Sequence, residues 1–436
     1  MTLGRHTITG ILSAGGKIFQ DWSATYRLFE RERIAQKELF APAIKGVQKD
    51  LTADEPLFAM MDDTLVRKRG RKISGTGWKR DPLGPAFHTN FVWGQRYLQI
   101  SVALPDFEVE GRVRSIPVDF YHAPTPVKPR KNAPPEDWAE YKTQQKISKI
   151  STVGAMRLAE LRGQIPDRKI ICAVDGGFTN KEVFRTIPEN TVLIGRIRKD
   201  ASLFGVPREA DDRGRGRKKY YGDRLPTPEE VRQDKSVPWQ KVNAFAAGKQ
   251  HEFNVKIMAP VRWKSTGERD MLIIIIRPLS YRQRKGARLL YRKPAYLICS
   301  DPQMPLEQLL QAYLWRWEIE LNFRDEKTIM GVGEAQIRTP AAVQSVPAFV
   351  VASYAFLLLA AHSIRAKSSS IPAPKWNPQK PTDRCSTQKI LSLFRSQYWG
   401  LRIASNKSGF VSNSPETRTH FYSPESLSSA LCYAYK

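Results

Sequence analysis

The stretch RKIICAVDGGFTN, Arg168 to Asn180, sets an apolar, β-branched run, Lys169–Val174, directly before an aspartate and two glycines. The run reads as a strand that stops at Asp175, with Gly176 and Gly177 supplying the turn. The next apolar run, TVLIGRIR (Thr191–Arg198), reads as another strand. Upstream, LFAMMDDT (Leu57–Thr64) is a short apolar strand ending in two aspartates. FVWGQRYLQISVAL (Phe91–Leu104) and RSIPVDFYH (Arg114–His122) are rich in β-branched and aromatic residues and read as two more strands. A polar helix from about Asp137 to Arg162 precedes the Asp175 strand. Three strands, a helix and further strands with acids at their ends make an α/β layer pattern.

The chain has 436 residues, enough for several domains and at least one large core. A hydrophobic content of 41% and aromatic content of 10% exclude a mainly disordered protein. Its 70 Lys and Arg against 43 Asp and Glu give a formal charge of +27, far beyond what solubility requires. A polyanionic partner is implied. Because the basic residues run through the whole chain, nucleic acid is favoured over an acidic membrane surface. The four cysteines are widely separated and lack metal-ligand spacing, so the chain reads as cytosolic and free of structural zinc. VPAFVVASYAFLLLAAHSI (Val346–Ile364) is long enough to span a bilayer, yet Pro347, Ser353 and His362 interrupt it and no second segment resembles it. It is expected to be a helix buried under the sheet.

Residues 1–50 read as a helical region and a candidate DNA-binding unit without a recognisable helix-turn-helix. Residues 51–198 carry the first part of the α/β core. Residues 199–288 look like a β-rich insertion, opened by the basic, Gly-rich run READDRGRGRKKYYGDR. The α/β pattern resumes over 289–365. Residues 366–436 form a Pro/Ser/Lys-rich linker and a helical tail, suited to protein contacts.

AYLWRWEIELNFRDEKTIMG (Ala312–Gly331) reads as one helix that mixes four acids and three bases with a tyrosine and two tryptophans. At about 100° per residue, with Tyr313 at zero, Arg316, Glu320 and Lys327 project to about −60°, −20° and −40°. They form one narrow stripe with Tyr313, and Arg324 shares that side. Glu318, Asp325 and Glu326 point to the far side. The plain reading is a surface helix laced with i,i+4 pairs such as Arg316 and Glu320. The sharper reading is a phosphate and metal site, the acid holding a cation while Arg, Lys and Tyr hold phosphate oxygens. Asp63 and Asp175, delivered to the same sheet edge, would complete a carboxylate set suited to two Mg²⁺ or Mn²⁺ ions.

With these residues the chain resembles the bacterial DDE insertion-sequence transposases of the branch whose third acid lies in a Tyr-x₂-Arg-x₃-Glu-x₆-Lys signature. Tyr313, Arg316, Glu320 and Lys327 match it at all four positions. The acid just before Thr in MDDT selects Asp63 over Asp62, and VDGGFTN selects Asp175. The resemblance implies an RNase H-like mixed-sheet catalytic core interrupted by a β-rich insertion. It also implies Mg²⁺-dependent cleavage and joining of double-stranded DNA, with Asp63, Asp175 and Glu320 both catalytic and metal-binding. Substrates would be terminal inverted repeats and target DNA, handled by a homodimer in a paired-end complex in the bacterial cytoplasm, at the nucleoid. In this branch a hairpin intermediate is common, and the signature Tyr, Arg and Lys hold the DNA backbone, roles that fall to Tyr313, Arg316 and Lys327. Arg324 and the loop cations Arg213, Arg215 and Arg217 are further candidates for phosphate contact. Trp239 and Trp263 are candidates for stacking on a flipped base, whereas Trp317 reads first as a core residue. Asp119 reads as a structural partner for a nearby base. Two rivals stand beside this reading: a non-catalytic DNA-binding derivative, and an RNase H-like nuclease without strand transfer.

Overall fold

The computed structural model describes residues 2–408, apart from 3, 5, 32, 34, 82–83, 86, 108, 208–218, 285 and 368–383. Three helices, α1 (Ile8–Ala14), α2 (Ser23–Glu30) and α3 (Gln36–Lys49), precede the strands β1 (Leu57–Arg67), β2 (Gly77–Arg80), β3 (Phe91–Pro105) and β4 (Val113–Ala123). Helices α4 (Pro135–Ile147) and α5 (Ile150–Gln164) lead to β5 (Ile170–Val174), the short α6 (Lys181–Phe184) and β6 (Thr191–Arg196). Next come β7 (Leu203–Phe204), α7 (Pro228–Gln233), β8 (Gln240–Ala246), β9 (Lys249–Trp263) and β10 (Asp270–Ile276). A small hairpin, β11 (Ser280–Tyr281) with β12 (Leu290–Tyr291), precedes β13 (Ala295–Cys299). The described chain closes with α8 (Leu306–Trp315), α9 (Glu318–Thr328), α10 (Pro340–Lys367) and α11 (Thr387–Ser408).

One mixed sheet organises these elements, in the order β2-β3-β1-β5-β6-β13-β10-β9-β7, with β4 on β3 and β8 on β9. β1, β5 and β6 are parallel, and the other pairs are antiparallel. β5, between the two other parallel strands, is apolar throughout because both its faces are covered: all five of its residues are buried. Strands β8 to β10 of the β-rich segment extend this same sheet through β13.

Two helix expectations change. The polar helix read over 137–162 is broken at Ser148 and Lys149, where Lys149 is extended (ψ 128°). The two pieces live in different environments: α4 buries nothing, while α5 sets Val153, Leu158 and Leu161 into the core. The helix read over 312–331 is likewise two helices, separated at Arg316 and Trp317. These residues keep helical dihedrals, but hydrogen bonds there run three residues back, from Arg316 to Tyr313 and from Trp317 to Leu314. The joint is thus a tightened turn.

The apolar segment after residue 340 is α10, packed against α3, β4 and α11. Val343, Val351, Ala355 and Leu358 are fully buried, and the Tyr97 hydroxyl on β3 donates to the Val343 carbonyl at 3.1 Å. The helix is long and apolar enough to cross a membrane, but here its apolar surface is spent on the sheet and α3. Leu358→Ala should therefore lower the unfolding free energy by about 2–5 kcal/mol. Denaturant unfolding measures this, and an unchanged midpoint would remove α10 from the core.

Candidate active site

The parallel pairing of β1 with β5 ends at Met61 and Val174. Asp62 and Asp63 follow directly on one strand and Asp175 on the other, so the acids lie where two parallel strands part. β1 does not stop at the acids, as read from sequence, but continues to Arg67 paired with β3. Successive strand residues point to opposite faces. Asp62 turns toward the side of α8 and α9, where its carboxylate accepts from Arg316 Nη1 at 2.8 Å and from the Asp63 amide at 2.8 Å. Asp63 turns toward the face carrying Arg96, whose Nε lies 3.1 Å from the Asp63 carboxylate without hydrogen-bond geometry.

Asp175 is fixed by its own turn. Its Oδ1 accepts from the amides of Gly177 (2.8 Å) and Phe178 (3.2 Å), and its carbonyl accepts from the Thr179 hydroxyl at 2.9 Å. The third acid is carried by α9, whose Ile319 and Phe323 pack with Met60, Ala103 and Val113. Asn322 adds a polar lock, donating to Ser115 Oγ at 2.9 Å and Ser101 Oγ at 3.3 Å. The preceding α8 is anchored by Trp315, which meets Phe58 edge-on at 5.0 Å and donates from Nε1 to the Gly111 carbonyl at 2.8 Å.

These groups act on one another electrostatically. Burial raises the Asp63 carboxyl above the usual range; Arg96 and Lys79 pull it down, while Asp175 and Glu320 push it further up. Burial also pushes Asp62 up to about 7, against the pull of Arg316 and with repulsion from Asp175 and Asp63. Lys327 is lowered by burial and by Arg67, and is held up by Glu326, Glu320 and Asp63. Asp63, Asp175 and Glu320 thus share one field, with Lys327 in it. Their hard oxygen donors and mutual repulsion suit a divalent cation. Among the described residues, however, no three His, Cys, Asp or Glu side chains stand gathered as a metal cluster. Arg96 lies beside Asp63, and Arg316 is taken by the adjacent Asp62.

The other sequence candidates divide. Tyr313 is half-buried, with the Arg316 guanidinium 5.8 Å from its ring centre. Arg316 itself is largely buried on Asp62 rather than paired with Glu320. Arg324 is exposed but turned back on Asp325 at 2.9 Å. Arg213, Arg215 and Arg217 lie outside the described residues. Trp239 and Trp263 are half-buried against the main core, and Lys256 Nζ sits 4.7 Å from the Trp239 ring centre. Trp317, read first as core, is 62% exposed on the joint beside Arg316. Asp119 is structural: Arg157 grips it at 2.7 and 2.8 Å and Gln36 donates at 2.9 Å.

Sequence reading passed over Arg96, Lys79 and the anchoring role of Asp62. For Arg96 a signal existed: it stands on a strand beside the MDDT strand, at a position where a core strand should be apolar. It also left unexplained the acids on the far side of the stripe. That side faces the interior: Asp325 accepts from Thr387 Oγ1 at 2.6 Å, and Glu326 is fully buried beside Gln99. Glu318 is taken by Arg384 at 2.6 Å.

Residues 1–268, more than half of the chain, match the sequence family described as DDE superfamily endonuclease. No curated protein matches the chain. The matched segment contains Asp63 and Asp175; Glu320 lies beyond it.

Burial pushes the Glu326 carboxyl up to about 8, while its Gln99 hydrogen bond pulls the other way. The folded protein therefore holds this proton more tightly than the unfolded chain. Its contribution to stability is complete below the ordinary glutamate value of 4.5 and is lost as pH rises through about 8. Glu326→Gln should flatten the pH–stability curve across that window. Unfolding midpoints at several pH values test it; an unchanged slope would place the proton elsewhere.

Proposed function

Because the chain belongs to the DDE superfamily endonucleases, we propose that it is a DNA transposase whose reaction centre is Asp63, Asp175 and Glu320. What supports this reading is that Asp175, in the β5 turn, and Glu320, on α9, both act electrostatically on Asp63 of β1, in a protein of charge +27. Endonucleases of this family work with divalent metal ions, and Asp63, Asp175 and Glu320 would hold them; Mg²⁺ is the ion proposed, with Mn²⁺ as substitute and two ions as the number. Bound there, the metal supplies Lewis-acid stabilisation of charge at the scissile phosphate.

The chain's own residues do the rest. Lys327, placed among Asp63, Glu320 and Arg67, offers its ammonium to a phosphate oxygen near the acids. Tyr313 on α8 and Arg316 at the α8–α9 joint hold the backbone from the other side, Arg316 with the guanidinium edge not engaged by Asp62. The exposed indole of Trp317 stands ready for an unstacked base at the same joint. The substrates proposed are element ends, cleaved and then joined to target DNA, with a hairpin as the route. A homodimer holds the two ends together, and the work is placed in the bacterial cytoplasm.

Two measurements follow. Labelled duplexes carrying the DNA that flanks this gene, incubated with Mg²⁺, should be cut at one fixed position. Glu320→Ala and Asp63→Asn should each lower that rate by about a thousandfold, the equivalent of several kcal/mol of lost metal-assisted stabilisation. Binding without a cut, in Mg²⁺ and Mn²⁺ alike, would instead favour a non-catalytic DNA-binding protein. Cutting without regard to terminal sequence, and without joined product, would favour a nuclease. Separately, Lys327→Ala should weaken DNA binding and reduce the slope of log affinity against log salt by about 1. An unchanged slope would exclude a phosphate contact there.

A further inference from the structure

Beyond the acids the edge of the sheet continues as a three-stranded ribbon of β1, β3 and β2. Its register sets Lys79 opposite Val92, Trp78 opposite Trp93 and Arg80 opposite Phe91. On the other side of β3, Arg67 stands opposite Gly94 and Leu65 opposite Arg96. Cross-strand partners share a face and successive residues alternate. One face of the ribbon therefore carries Arg96, Lys79 and Arg67 in line with Asp63. The other carries Trp78, Trp93 and Phe91.

The two faces differ in what they lack. The first is cationic, and Arg96 and Lys79 are near enough to Asp63 to pull its carboxyl down. The second is apolar and open: Trp78 is 62% exposed and Phe91 61%. Trp78 is also held in place, meeting Trp93 edge-on at 5.5 Å and 69°, while Trp93 Nε1 donates to the Gly70 carbonyl at 3.1 Å. A fixed, exposed indole offers a stacking surface at little entropic cost. Arg80 on the same face is exposed too, so the patch has a cation beside it. The exposed Arg80 beside the patch, and the cationic face that the same ribbon presents on its other side in line with Asp63, select nucleic acid over an apolar protein surface as the occupant.

We propose that this ribbon is a DNA-binding wedge specific for duplex ends with unpaired bases, a site that rests on the transposase reading. Phosphates of the strand entering the acid site run along Arg96, Lys79 and Arg67. Unstacked bases of the opposite strand pack on Trp78 and Phe91.

The test is metal-free binding by fluorescence anisotropy, comparing a fully paired duplex of the flanking DNA with the same duplex frayed over a few bases and carrying 2-aminopurine. The full-length wild-type chain should prefer the frayed duplex, and its 2-aminopurine fluorescence should be quenched. A Trp78→Ala, Phe91→Ala double variant should lose about tenfold or more in affinity for the frayed duplex, with little change for the paired one. Trp78→Phe should retain most of the preference. Thermal unfolding of the variants checks that the exposed substitutions leave the fold intact. Equal losses on both duplexes, or none, would overturn the proposal. A change in sedimentation without any change in DNA affinity would overturn it too, assigning the patch to a protein contact. Because metal is absent, a chain that never cleaves DNA would still give a clear answer here, so failure of the transposase reading is distinguishable.

Discussion

Arg316 and Asp62 meet at 2.8 Å, both largely withdrawn from water, and this contact registers the helix of the third acid against the strand of the first. Arg316 sits at the tightened joint between α8 and α9; Glu320 follows one helical turn later. Taking two charges out of water costs several kcal/mol per ion, so such a pair adds little net stability. What it supplies is position, because losing one partner would leave the other charge buried and uncompensated. Burial raises the Asp62 carboxyl: desolvation outweighs the pull of the guanidinium, and Asp175 pushes it further up.

The single-residue step from Asp62 to Asp63 then divides two tasks. Strand alternation sends one carboxylate toward the helices as an anchor and the other toward the face of Arg96 and Lys79. Neither could do both. The second acid comes from a turn rather than a strand interior, and the amides of Gly177 and Phe178 fix the position of its carboxylate. Around them the cations are held close, and burial lowers both Lys79 and Lys327. The acids are thus balanced by cations rather than gathered into a cage, and a metal ion would replace part of that balance.

Much of this was legible in the sequence, for identifiable reasons. β5, β6, β10 and β13 are continuous apolar runs because both faces of the sheet are covered, and such runs advertise themselves. The stripe Tyr313, Arg316, Glu320, Lys327 was visible as spacing, and in the structure Glu320 acts electrostatically on Asp63, and Asp63 and Glu320 on Lys327. The break at Arg316 was not visible, because neither Gly nor Pro marks it and both joint residues stay helical in φ and ψ. Nor was the pairing of Arg316: a helical projection offers only Glu320 as partner, whereas Asp62 arrives from 254 residues away. The same limit hid the exposure of Trp317. Composition favours a buried indole, and only the packing of α9 through Ile319, Asn322 and Phe323 decides which way residue 317 faces.

Why α9 should carry buried acids at all follows from what the site demands of it. An all-apolar interface between α9 and the sheet would fix the helix's distance but tolerate rotation and sliding. Here the interface carries a polar layer instead: Asn322 reaches Ser101 and Ser115, Gln99 donates to Ser101 at 3.0 Å, and Glu326 bonds to Gln99. Each of these bonds has a direction, so a shift of the helix would leave several buried groups unsatisfied, at about 1–3 kcal/mol for each. Gln99 is also the cross-strand partner of Asp62. The layer that sets the rotation of α9 is therefore tied to the strand residue that anchors Arg316. Glu320, on the opposite side of α9, inherits its aim from both.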